Sequence, residues 1–183
     1  PISFHLYRDE DVVDAASPCW GASLPCGPEP APGAGGLTFG VYFESIADWL
    51  RARNGQALRE ALAAAGHPLG PGESMAAVAV RAEKHGPFYH PARVAVHTAP
   101  GRPPAVLALN VAASEAGRAL MAAEIAALER VGRRLAPGDV PRVLARGTGR
   151  AAAAPPLPMF LADWFEGFCE FHLARHPSDG RTQ

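Results

Sequence analysis

The chain predicts an α+β fold: a five-stranded antiparallel sheet with one long helix packed on it, plus an N-terminal strand and helical extension. Three observations carry that expectation. Residues 78–82, 92–97, 105–112, 140–147 and 159–165 are short, mainly apolar stretches, set apart by proline- and glycine-rich connections, as strands are. Between the third and fourth, residues 114–135 place Leu120, Leu128, Val131 and Leu135 near multiples of the helical repeat, with Glu124 inside the same stripe. Strands joined by hairpins, with a single helix interposed, favour antiparallel pairing with the helix on one face.

The totals agree with a folded domain. The 183 residues can bury a real core, and 48% hydrophobic with 19% charged residues is an ordinary globular composition. A formal net charge of −1, with no basic run beyond two residues, offers no electrostatic footprint for nucleic acid or an anionic membrane. Three cysteines, Cys19, Cys26 and Cys169, form no close-spaced framework, which suits a reducing, cytoplasmic compartment. No basic-then-apolar leader opens the chain, and no apolar run is long enough to span a bilayer.

Taken in order, residues 2–7 alternate apolar and polar side chains and read as an edge strand. Residues 17–36 are a Pro/Gly/Ala-rich connector. Residues 37–43, rich in β-branched and aromatic side chains, read as a strand. Ser45 then caps a helix to about Arg53, Asn54-Gly55 breaks it, and residues 56–65 form a second helix stopped by Gly66. The run His67-Pro-Leu-Gly-Pro-Gly72 marks a boundary, so the organisation is 1–72 extension, 73–175 main lobe and 176–183 flexible tail. In the main lobe, residues 83–91 are the long connection of the first hairpin and Pro100-Gly-Arg-Pro-Pro104 is the next turn. Ser114 caps the long helix, Glu115 and Arg130, Arg133 and Arg134 sit favourably for its dipole, and Pro137-Gly138 stops it. A short helix with Phe168, Phe171, His172 and Leu173 on one face closes the lobe near Arg175.

From about residue 78 to 175 the order and spacing of these elements resemble the amino-terminal lobe of protein kinase-like folds, the aminoglycoside phosphotransferase branch more than the protein kinase branch. Glu83-Lys-His-Gly-Pro-Phe-Tyr-His90 is similar to the loop that covers the phosphates. Leu107-Ala-Leu-Asn110 resembles the strand that ends in the phosphate-binding lysine. Met121-Ala-Ala-Glu124 resembles the helix whose glutamate pairs with that lysine, and Phe160-Leu-Ala-Asp163-Trp164-Phe165-Glu166-Gly167 the last strand and hinge. Residues 83–91 and 164–172 also look like stretches of larger bacterial proteins, and that likeness implies that the chain is the front part of something bigger. The resemblance implies ATP with magnesium as the ligand, held by Lys84, His85, Gly86, Tyr89, Asn110, Glu124, Asp163, Trp164 and Phe165. It departs from the family in three ways. Gly86 stands alone in the loop, followed by Pro87; Asn110 replaces the lysine with a neutral side chain; and no histidine-aspartate catalytic loop or metal-binding aspartate motif follows. The expectation is therefore a degenerate nucleotide-binding lobe or the front of a small-molecule phosphotransferase-like protein, without catalysis by this chain alone.

Each residue also has a simpler reading. Glu124 is then a helix carboxylate satisfied by Arg93 or Lys84 at the edge of the core, and Asn110 a residue ending its strand. Asp163, Trp164 and Phe165 become packing residues, and His85, His90 and His97 surface groups that would otherwise form a metal set. On that reading the chain is a non-catalytic interaction domain, with a second copy or a missing carboxy-terminal lobe as partner.

Overall fold

The computed structural model describes residues 3–8, 39–82, 89–98, 101–112, 114–136, 138–152 and 155–165, with backbone alone for 3–8, 39–40, 82 and 89–90. The elements run β1 (Ser3–Arg8), α1 (Phe39–Ala64), β2 (Ala77–Ala82), β3 (Tyr89–His97), β4 (Ala105–Ala112), α2 (Glu115–Gly132), β5 (Val143–Gly149) and β6 (Leu157–Asp163). They build one α+β sheet in the order β1-β2-β3-β4-β6-β5. All five expected antiparallel strands are present, and β1 adds a sixth at the edge, parallel to β2.

Because side chains alternate across a strand, each strand divides its residues between two faces. Val78, Val80, Val94, Val96, Leu107, Leu109, Val111, Leu157, Met159 and Leu161 point to one face and form the main core with Tyr42, Ile46, Trp49, Leu50, Leu58 and Leu62 of α1. Ala108, Ala112, Phe160 and Ala162 point to the other, where Met121, Ile125 and Leu128 of α2 meet them. Each fully buried aliphatic or aromatic side chain contributes about 1.5–3 kcal/mol, so the α1 face is the larger source of stability.

Residues 39–43 are helical, where a strand was expected, and Ser45 lies inside α1 instead of capping it. Local composition favoured a strand there, but Tyr42, Ile46, Trp49 and Leu50 recur at helical spacing and all are buried against the sheet. That burial outweighs the weak preference of β-branched and aromatic residues for extended backbone. The expected break is real: Arg53, Asn54 and Gly55 take left-handed backbone angles, so α1 is two helical halves around a kink. The second half ends at Gly66 (φ 88°), with Gly66 N–H donating to Ala63 O and His67 N–H to Leu62 O, a glycine-terminated cap.

α1 can lie directly on β5 because that strand carries glycine at Gly147 and Gly149. A Cβ on Gly149 would sit 1.8 Å from the carbonyl oxygen of Ser45, and one on Gly147 would sit 2.1 Å from Trp49 Nε1. Two carboxylates of α1 then hold the exit from β5: Asp48 accepts from Arg150 N–H at 2.9 Å and Glu44 from Ala152 N–H at 3.1 Å.

α2 begins as expected. Ser114 is extended (φ −143°, ψ 170°) and its hydroxyl accepts from Gly117 N–H at 3.1 Å. Its buried stripe is not the expected one. Gly117 and Met121 are buried, with Ile125 and Leu128 beside them, whereas Leu120, Val131 and Leu135 are exposed. At about 100° per residue the buried stripe is rotated by roughly 60–80° from the line through Leu120, Glu124 and Val131. Glu124 is therefore half-buried at the margin of the contact and not inside it. The sheet fixes this rotation, since the bulky Phe160 selects the flexible Met121 as its neighbour.

Candidate functional site

The face of the sheet that carries α2 brings together Asn110, Glu124 and Trp164, whereas Asp163, paired with Leu107, has the parity of the main core and lies on the α1 face. On β4, Asn110 has the same parity as Ala108 and Ala112, so it projects to the α2 side and not to the main core. It lies within the strand, which continues to Ala112, and is half-buried. The reading of Asn110 as a strand end is thus corrected. Register places Pro91 on one side of it and Phe160 on the other.

Arg118 and Glu129 identify the two flanks of α2. Arg118 donates to Pro156 O, and Glu129 pairs with Arg146 of β5, so that flank faces β5 and the start of β6. Glu124 lies on the opposite flank, toward β3. No cation of a described residue pairs with it, and the expected Glu124–Arg93 contact is not formed. Among the described residues, no element crosses the β2–β3 half of this face.

That half carries two arginines. Arg81 of β2 stands directly opposite Arg93 of β3, which stands opposite Ala108 of β4, which stands opposite Ala162 of β6. Their parity is that of Asn110, because Val80 and Val94 point into the main core. The Arg93 guanidinium lies over the ring of Trp164, 5.7 Å from its centroid, a cation–π contact that joins β3 to the segment leaving β6. Trp164 and Phe165 are both half-buried. In the sequence, Arg81 and Arg93 each interrupt an alternating valine-alanine run at the position facing away from the core, and that interruption is the signal by which the pair could have been found.

Asp163, expected beside an adenine, is occupied by Arg142. Arg142 Nε and Nη2 donate to the two carboxylate oxygens at 2.8 Å each, and the Arg142 backbone N–H donates to Oδ2 at 2.7 Å. Arg142 Nη1 also donates to Ala64 O, at the end of α1, at 2.9 Å. Burial pushes the Asp163 carboxyl up, but the side-chain and backbone hydrogen bonds of Arg142, with its charge, outweigh burial and hold it below the usual carboxylate range. The same bond raises Arg142.

Of the other expected ligands, Lys84, His85 and Gly86 lie outside the described residues, and Tyr89 is described by its backbone alone, opposite Ala112. His90 and His97 stand seven positions apart on β3, which separates their backbones by about 23 Å along an extended strand. They cannot share one ion, so the His85, His90 and His97 metal set is excluded by the length of the strand. Among the described residues no three His, Cys, Asp or Glu side chains converge on a metal position, and no helix is long and apolar enough to cross a membrane.

A separate groove of about 500 Å³ opens at the far end of α1, between Leu62, Leu69, Pro104 and Val106, with the Arg102–Glu73 ion pair (3.2 Å) on its rim. Sequence reasoning did not single it out. In comparisons with known proteins, the chain matches no family model, no curated protein and no solved structure.

Proposed function

We propose that this chain is a kinase-like amino-terminal lobe, degenerate at the lysine position, that binds a nucleotide on the α2 face of its sheet without catalysing phosphoryl transfer by itself. One observation carries the reading. Asn110 of β4, Glu124 of α2 and Trp164, which follows β6, flank the part of the α2 face that no described element crosses, although they are far apart in the chain. Three hairpin-linked strands, one helix, and two further strands with the last inserted beside the third support it. Trp164 offers an aromatic face for a base at one end of the patch. Asn110 lies about 10 Å further along the sheet, three strand positions from the Leu107–Asp163 pair. Asp163 acts in this reading through its backbone and by positioning the segment, since Arg142 holds its carboxylate. With magnesium the ligand would be ATP; as the front of a phosphotransferase-like protein, the lobe would present that nucleotide to a second lobe.

A thermal melt of the 183-residue chain with and without magnesium and ATP, repeated with ADP, tests the reading. A saturable rise of a few degrees is the expected result, because a ligand that binds only the folded state stabilises it. No shift at millimolar nucleotide would remove the nucleotide from the proposal.

A second reading is favoured by a different observation. Leu120, Val131 and Leu135 leave an apolar strip along and just beyond α2, at 45%, 37% and 45% exposure. Such a strip suits a protein partner, a second copy or a further lobe. Light scattering on the wild type and on Leu120→Glu separates the cases: a concentration-dependent dimer abolished by the substitution supports self-association, and a monomer in both excludes it.

A further inference from the structure

We propose that Arg93 supplies the phosphate-binding charge that Asn110 lacks, so that the anionic end of the ligand is held from β3 instead of from β4. The inference rests on the nucleotide reading and names the residues that would hold the phosphates. Arg81 and Arg93 stand directly opposite one another on adjacent antiparallel strands, which makes this row the cationic part of the face. Both are half-buried and both point to the patch that also carries Asn110 and Trp164. Asn110 pairs with Pro91, so Arg93 is its diagonal neighbour, about 7–8 Å away and within reach of a long side chain.

The chemistry suits a polyphosphate. Guanidinium groups bind phosphate through two parallel N–H donors, which a neutral amide cannot do, while Asn110 can add one hydrogen bond. No carboxylate of a described residue is paired with Arg93, whose contact in the structure is the Trp164 ring. A cation–π contact of this kind is weaker than a two-pronged, charge-assisted pair with phosphate, so a phosphate can draw the guanidinium off the indole. A base can then take the vacated face. Arg93 and the base thus compete for Trp164, and the phosphates decide the outcome.

The test measures binding of ATP, adenosine and inorganic tripolyphosphate to the full chain by calorimetry, for the wild type, Arg93→Leu and Arg93→Lys. The expected result is that tripolyphosphate and ATP bind the wild type and weaken with added salt. Both weaken at least about tenfold in Arg93→Leu, while Arg93→Lys recovers part of the loss. Adenosine affinity should be unchanged or improved in Arg93→Leu, because the indole face is freed. ATP that binds no tighter than adenosine, or equally well to wild type and Arg93→Leu, would overturn the inference while leaving the nucleotide reading intact. Tripolyphosphate binding that needs Arg93, with no adenosine binding, supports the inference and removes the base site. No binding of any of the three removes both. If Arg93→Leu does not fold, Arg93→Lys and the salt series still decide, since ATP affinity insensitive to both contradicts a guanidinium-held phosphate.

Discussion

Arg142 and Asp163 are joined by a two-pronged ion pair that closes the sheet where β5 begins and β6 ends. The carboxylate is mostly covered, at 16% side-chain exposure, and Arg142 extends the connection to the last turn of α1 through Ala64 O. Three elements from distant parts of the chain therefore meet at one guanidinium. Asp163 also positions the first residue after β6, Trp164, whose ring carries Arg93.

Stability should depend on the charge of Asp163. Its folded carboxyl titrates below its ordinary value near 3.8, so the folded state binds this proton less readily than the unfolded chain. The stabilisation is fully present above that ordinary value and is lost as pH falls through the lower folded value. Asp163→Asn should lower stability at pH 7 by about 1–2 kcal/mol and flatten the stability–pH curve below pH about 4. Urea melts of both proteins from pH 7 to 2.5 check this; parallel curves would show that the pair contributes nothing.

Gly149→Ala should be among the most damaging small substitutions in the chain. Its methyl group would meet the backbone of Ser45, which cannot rotate away, so α1 must lift from β5. A loss of about 2–3 kcal/mol is expected, as for overpacked cores. Gly132→Ala, with open space around the new methyl group, should be neutral or stabilising by up to about 1 kcal/mol. Denaturant midpoints for the two variants make the comparison, and equal effects would contradict the close packing of α1 on β5.

Ser45 itself offers a complementary test. Its hydroxyl is buried and has no hydrogen-bond partner. Burying such a group costs free energy, so Ser45→Ala should stabilise the fold or leave it unchanged. A clear loss in a thermal melt would show that the hydroxyl is satisfied in solution.

On α2 the helical spacing alone places Glu124 in the core, where Glu124→Ala would change stability by about 1 kcal/mol or more. With Glu124 at the margin, the expected change is within about 0.5 kcal/mol. Met121→Ala, by contrast, removes a buried side chain from the contact with Phe160 and should cost about 2–5 kcal/mol. Urea melts that reverse this order would restore the original stripe.

Asn110→Lys tests the degenerate position directly. The side chain is half-buried on the face where no described element crosses β2 and β3, so a lysine has room to extend toward Glu124's flank of α2. The fold should survive with little loss of stability, and ATP affinity should rise because a charge-assisted contact replaces a neutral one. Calorimetry alongside a melt reads both; collapse of the fold would make Asn110 a structural residue.

Much of the architecture was legible because it is local. Strand alternation, the Asn54-Gly55 break, the Gly66 stop and the Ser114 cap each depend on a few neighbouring residues. The start of α1 was not, because residues 39–43 favour a strand by composition and become helical through burial of Tyr42 and Ile46 against distant strands. The α2 stripe failed for a related reason. Spacing defines a family of parallel lines on a helix, and only the surface opposite, here Phe160 and Ala162, selects among them.

The candidate site divides in the same way. Periodicity and turn chemistry determined that Asn110, Glu124 and Trp164 belong to a strand, a helix and the end of a strand. Which face each occupies, and that Arg81, Arg93 and Ala108 fall in one row, was decided by strand order and register, since a shift of one residue would reverse every side chain. Pairings such as Arg142 with Asp163 and Arg93 with Trp164 join residues 21 and 71 positions apart. Hydrogen bonds and ring contacts act over a few ångströms of space, whatever the separation along the chain, so only the tertiary structure could supply them.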